Sequence, residues 1–121
     1  INNSLHGNIC NKTYYDKSIN YINKHTTDPI FYFFSDDINW CAQNFKMSNA
    51  VFVDWNNNSK SYIDLQLMSK CKHNIIANST FSWWAAYLND YIHKIVITPN
   101  KWFNNPNINC SDIYIDSWIK I

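Results

Sequence analysis

Four short runs rich in apolar residues, Ile30 to Phe34, Val51 to Val53, Asn74 to Ala77 and Lys94 to Thr98, are separated by segments with the period of an amphipathic helix. The runs do not alternate apolar with polar, so each reads as a strand covered on both faces rather than on one. In the helical segments Tyr15, Ile19 and Ile22 repeat at helix spacing within residues 13 to 24. Ile38, Cys41, Ala42 and Phe45 do so after an acidic start, Ile63, Leu67, Met68 and Cys71 within Tyr62 to Cys71, and Phe81, Trp84, Ala85 and Leu88 in the last. Helix and strand therefore alternate four times, the pattern of an α/β fold with a parallel sheet and helices on both faces. With 121 residues the chain has the length of a single domain with a real core. Residues 1 to 11 read as a loop, Asp54 to Ser61 as a polar surface loop, and Lys101 to Ile121 as a tail that wraps the outside. Trp83 and Trp84 lie on a helix apolar around most of its circumference and are assigned to the core.

In such sheets ligands bind beyond the carboxyl ends of the strands. Two junctions there carry chemistry. Asn78-Ser79-Thr80-Phe81 follows the third strand and opens the last helix, where free amides and the positive end of the helix dipole favour an anion and the two hydroxyls can donate to it. Asp36 and Asp37 follow the first strand. A carboxylate there can accept two hydrogen bonds from paired donors of a ligand. Asp37 is the first candidate for this role and Asp36 the second. The same residues also make ordinary helix caps, and from the residues alone both readings stand.

Composition narrows the chemistry further. The single glycine, Gly7, precedes every strand, which excludes a dinucleotide fingerprint and a glycine-rich phosphate loop. A net charge of +1 with scattered lysines gives no nucleic-acid footprint. Cys10, Cys41, Cys71 and Cys110 lack metal-ligand spacing and read as free thiols, with Cys41 and Cys71 on apolar helix faces. No metal is expected, and no apolar run has the length of a membrane span. His73 has no carboxylate partner in the sequence and reads as a partly exposed surface residue rather than a base, with weaker claims still for His25 and His93; no catalytic base is assigned. No Ser/His/Asp arrangement surrounds Ser79 or Ser82, which argues against a hydrolase. The Asn-x-Ser/Thr triplets at Asn2, Asn11, Asn57, Asn78 and Asn109 are the chance product of an asparagine-rich chain.

Four motifs in order carry a resemblance: Phe34-Ser35-Asp36-Asp37-Ile38-Asn39-Trp40, Asp64 to Cys71, Lys72 to Ala86 with its Ser79-Thr80-Phe81-Ser82-Trp83-Trp84 centre, and Thr98 to Phe103. Together they resemble the C-terminal half of the α-1,2-fucosyltransferases, glycosyltransferase family 11, over most of residues 13 to 118. The resemblance implies a Rossmann-like domain, residues 1 to 121, forming the GDP-fucose-binding half of a two-domain GT-B-type enzyme. It implies metal-independent, inverting transfer of L-fucose to a galactose hydroxyl of an acceptor glycan, with Asp36, Asp37, Asn78, Ser79, Thr80 and Phe81 at the donor, and an aspartate accepting from the N1 and exocyclic amino donors of guanine, a pattern adenine lacks. It further implies a cytoplasmic protein, or one peripheral at the cytoplasmic membrane, in a bacterium, and a Golgi protein anchored upstream in a eukaryote.

One departure counts against a complete site. The family's His-x-Arg-Arg-x-Asp motif has no counterpart, since the chain contains no arginine and His6 is followed by Gly7-Asn8-Ile9. The expectation is a fragment lacking the N-terminal half, or a degenerate relative. The alternatives are a non-catalytic nucleotide-sugar-binding module and a fucosyltransferase of another linkage.

Overall fold

The computed structural model describes residues 9 to 56 and 60 to 121. The expected loop over residues 1 to 8, the triplets at Asn2 and Asn57, and the centre of the Asp54 to Ser61 loop lie outside the described residues.

Helix α1, Lys12–His25, starts where Asn11 turns its side-chain oxygen onto the Tyr14 amide at 3.0 Å, and it buries Tyr14, Ser18 and Ile22 along one stripe. Strand β1, Phe31–Phe34, is joined through α2, Ile38–Asn44, to β2, Ala50–Val53, and the strands pair in parallel with Phe33 opposite Phe52. Those two rings stack 5.1 Å apart, and Phe45 stacks on Phe33 from the end of α2, so aromatic contact closes this face. Helix α3, Ser61–Lys70, leads to β3, Asn74–Ile75, which α4, Thr80–Leu88, connects to the parallel β4, Val96–Thr98.

The chain forms two parallel sheets where one was expected, β1-β2 and β3-β4-β5. They meet through side chains: Phe31 of β1 and Ile97 of β4 pack in one core cluster with Tyr14 and Ile22, flanked by Phe33, Ile75 and Ile119. The tail differs more. Instead of wrapping the outside it enters the core, where Trp102 and Trp118 are buried against Ile76, Ala86 and Val96. After a 3-10 turn, Ser111–Ile113, it supplies β5, Ile119–Lys120, parallel to β4. A strand of two residues bounded by turns carries no period, which is why the sequence pattern misses it.

β3 is also shorter than the apolar run that encodes it, and Pro99 explains why. In the observed register the Ile76 amide donates to the Ile97 carbonyl, so the next donor facing the Ile76 carbonyl belongs to residue 99. Proline has no N–H, and the ladder stops. The Tyr14 hydroxyl fills the vacancy, donating to the Ile76 carbonyl at 2.6 Å, with the Ile97 carbonyl at 3.2 Å. Helix α1 is thus fastened to the sheet at the point where the backbone cannot satisfy itself.

Helix α4 departs from expectation in the opposite sense. Ser82, Ala85 and Ala86 are its buried residues, whereas Phe81, Trp84, Tyr87 and Leu88 are exposed, Trp84 at 50%. Trp83 is half-buried, donating its indole N–H to the Ile113 carbonyl at 2.7 Å and packing on Trp118. The small residues let α4 lie close to the sheet, and the large rings therefore point away from it.

Candidate functional site

Each expected site residue lies just past the end of a parallel strand. The first group is the loop from β3 into α4. Ser79 is the N-cap of α4: its side-chain oxygen accepts from the Ser82 amide at 3.2 Å and lies 2.8 Å from the Ser82 hydroxyl. The buried Ser82 hydroxyl donates back to the Ala77 carbonyl at 3.0 Å. With that proton committed, the Ser79–Ser82 contact has Ser79 as donor, and the Ser79 hydroxyl is spent inside the cap. Thr80, one residue on, is exposed, and its hydroxyl makes no hydrogen bond among the described residues. The amides of Thr80 and Phe81, in the first turn, have no intrahelical acceptor. Of the two expected hydroxyl donors, Ser79 is therefore engaged within the cap and Thr80 is open.

Asn78 holds this loop from behind. Its side-chain amide donates to the Trp102 carbonyl at 3.1 Å, and its backbone amide hydrogen-bonds the Cys10 thiol. Burial pushes the Cys10 thiol up from its ordinary value, and the Asn78 amide and Tyr15 hydroxyl oppose that rise only in part, so Cys10 stays protonated. Through these bonds Asn78 supports the loop. Phe81 is 40% exposed on the outer face of α4.

The second group follows β1 on the other sheet. Asp37 is the N-cap of α2, accepting from the Trp40 amide at 3.2 Å, while its own amide donates to the Ser35 hydroxyl at 3.0 Å. Asp36 is exposed and makes no hydrogen bond or ion pair among the described residues. Asp37 thus gives one carboxylate oxygen to the helix, and Asp36 gives none.

Several supports were not visible in the motifs. Asn89, 3% exposed, is the C-cap of α4, and its side-chain amide donates to the carbonyls of Cys71 and Lys72 and to the Asn74 side chain at 2.8 Å. Its side-chain oxygen accepts from the Tyr91 amide, and Asn74 in turn donates to the Met68 carbonyl. Lys94 places its ammonium on the carbonyls of Ala86 and Asn89, at 2.9 and 2.7 Å, covering the negative end of α4. His73 accepts from the Ile95 amide through Nδ1 at 2.9 Å, which fixes the neutral ring with its proton on Nε2. Burial first, and Lys72 second, lower its pKa below 6.5. It pins the entry to β4 from a half-buried position, a structural role beyond the partly exposed surface residue expected.

All four cysteines are free, with Cys41 buried and Cys71 half-buried. Among the described residues no group of three or more His, Cys or Asp side chains is placed to hold a metal ion. Nor is any of their helices long and apolar enough to cross a membrane.

The comparisons with known proteins bear on the whole chain. It is 45% identical to the O-antigen biosynthesis glycosyltransferase WbnK of Escherichia coli over 109 residues, covering 89% of the chain and 35% of WbnK. It is 38% identical to an alpha-1,2-colitosyltransferase of the same species, covering 97% of the chain and 41% of that protein. It is 31% identical to rat galactoside alpha-(1,2)-fucosyltransferase 1 over 71% of the chain and 23% of that enzyme. The chain thus spans between a third and about two-fifths of the length of the bacterial relatives. No solved structure matches it. The family model for glycosyl transferase family 11 matches residues 1 to 121, and the chain belongs to that family.

Proposed function

We propose that this chain is the nucleotide-sugar side of a glycosyltransferase that moves L-fucose from GDP-fucose to a galactose hydroxyl of an acceptor glycan. The observation that carries the reading is the unspent chemistry beyond the strand ends: Asp36 has a free carboxylate after β1, and Thr80 offers a free hydroxyl beside two open helix amides after β3. Asp36 takes the guanine edge. Thr80 and the amides of Thr80 and Phe81 take the donor phosphate, and as the bond to fucose breaks they stabilise the charge gathering on the leaving phosphate. Ser79 and Asn78 act from behind, one as the cap and one as the tie to Trp102. Acceptor contacts and the cations that would complete the phosphate clamp belong, in this reading, to sequence that the bacterial relatives have outside the matched stretch.

The name of one relative favours a second reading at the sugar. An alpha-1,2-colitosyltransferase matches 97% of the chain, so colitose is the alternative to fucose as the transferred unit, with the same nucleotide contacts.

The test is calorimetric comparison of GDP with ADP on the wild type, Asp36→Asn and Asp37→Ala. Asp36→Asn should lower GDP affinity by about 1 to 3 kcal/mol and erase the preference over ADP, since an amide presents a mismatched donor to guanine. Asp37→Ala should cost about 1 kcal/mol of stability as a lost cap and leave the preference intact. A GDP preference that survives Asp36→Asn and disappears in Asp37→Ala would return the role to Asp37; no preference in the wild type would sink the guanine reading.

A further inference from the structure

The turn that carries the chain into β5 borders an open recess of about 290 Å³ lined by Ser111, Tyr114, Ile115, Asp116 and Lys120. Lys120 occupies the last register position of β5, opposite Thr98 of β4, and its ammonium stands 4.7 Å from the centre of the Tyr114 ring. Asp116 and Lys120 bring opposite charges to one small space without pairing: among the described residues the sole ion pair is Lys12 with Asp16. A recess that joins an unpaired carboxylate, an unpaired ammonium and a serine hydroxyl has both acceptor and donor on its wall. Its formal charges cancel, so it offers an anion such as phosphate no net attraction, and Asp116 repels one.

We propose that this recess binds a single neutral pyranose, with Asp116 accepting from and Lys120 donating to adjacent sugar hydroxyls. Sugar hydroxyls are donor and acceptor at once, and vicinal pairs present both within the span of two side chains. The apolar C–H face of the ring rests on Tyr114 and Ile115. The size agrees, since the recess falls at the lower end of ligand cavities, enough for one sugar ring and too small for a nucleotide sugar. Tyr114 offers its ring rather than its hydroxyl, which is buried on the side of the Cys110 thiol; burial first, and Cys110 second, push that phenol up. The proposal rests on the glycosyltransferase reading for its choice of sugars, which come from two sources, the acceptor glycan and the sugar carried by the donor.

The experiment is a titration of the isotopically labelled chain, followed through its amide NMR signals, with methyl β-D-galactoside, methyl α-L-fucoside and inorganic phosphate in separate arms. Saturable shifts in residues 111 to 120 with either glycoside support the proposal, and the stronger of the two tells acceptor from donor sugar. Asp116→Asn and Lys120→Met should each weaken that binding about fivefold or more, with the rest of the spectrum unchanged. The proposal is overturned if neither glycoside moves these signals, if phosphate alone moves them, or if both variants bind as the wild type does. GDP titrated on the same sample keeps the two readings apart. GDP binding that depends on Asp36, without any glycoside response, removes the sugar recess and leaves the nucleotide site. A glycoside response without GDP binding supports the recess and removes the nucleotide site.

Discussion

Replacing Tyr14 by phenylalanine tests the claim that a side chain completes the sheet where Pro99 interrupts it. The ring stays, so the packing of Tyr14 against Tyr15, Phe31 and Ile97 is retained and only the hydroxyl is lost. The Ile76 carbonyl, on a residue with 0% exposure, is then left without its 2.6 Å donor. A buried acceptor stranded in this way costs about 1 to 3 kcal/mol, and the short bond argues for the middle of that range, about 2 kcal/mol. At roughly 2 cal/mol/K of unfolding entropy per residue, a chain of this size loses about 4 °C of Tm per kcal/mol, so the melting point should fall by about 8 °C. Tyr62→Phe, at a residue 59% exposed, is the control and should leave Tm unchanged. The sharper assay is a double-mutant cycle with Pro99→Ala, which restores an N–H at the position facing the Ile76 carbonyl. If Pro99 is the cause, Tyr14→Phe should cost about 1 kcal/mol less in the Pro99→Ala background. Strict additivity, or a Tyr14→Phe variant within about 0.5 kcal/mol of wild type, would refute the reasoning.

Two other perturbations follow from the same accounting. Asn89→Ala strands the Tyr91 amide and removes the shared donor of the Cys71 and Lys72 carbonyls, so chemical denaturation should show a loss of about 2 to 4 kcal/mol, well beyond the effect of a surface asparagine. For His73 the folded pKa lies below the ordinary 6.5, so the unfolded chain takes up the proton first. Its contribution is full above about pH 6.5 and declines as the pH falls below that, when protonation of Nδ1 also breaks the bond to Ile95. Melting from about pH 7.5 to about pH 5.5 should therefore destabilise the wild type more than His73→Gln, and parallel curves would count against the assignment.

The positions of the helices were legible from their period, but their faces only in part: α1 buries Tyr14, Ser18 and Ile22, sharing just Ile22 with the expected stripe, α2 buries the expected Cys41, and of the stripe expected in α4 only Ala85 is buried. The strands β1 to β4 were legible as apolar runs, and the positions of the aspartate pair and the Ser79-Thr80 loop followed from them. What the pattern could not carry was any property set by partners distant in sequence. The division of labour between Asp36 and Asp37, and between Ser79 and Thr80, depends on which oxygen the helix amides capture, and both members of each pair are good caps. The outward turn of Trp84 depends on Ala85 and Ala86 seating the helix, a choice that hydrophobicity alone ranks the other way. The Tyr14 bond spans 62 residues. One signal was present for it: a proline closing a buried strand predicts a carbonyl in need of a donor from elsewhere.

Helix α4 is electrically lopsided. Lys94 sits on its carbonyl end, while two amides at its other end remain open. An isolated helix presents a dipole, whose pull on a distant anion fades quickly because the far pole cancels the near one. With the far pole covered by an ammonium roughly 13 Å behind, that cancellation is lost. An approaching anion therefore meets a lone positive charge with longer reach, in a chain whose net charge of +1 gives almost no field of its own. A lysine that touches no ligand thereby sets how far out the front of the helix can be felt, and it does so without a single arginine in the chain.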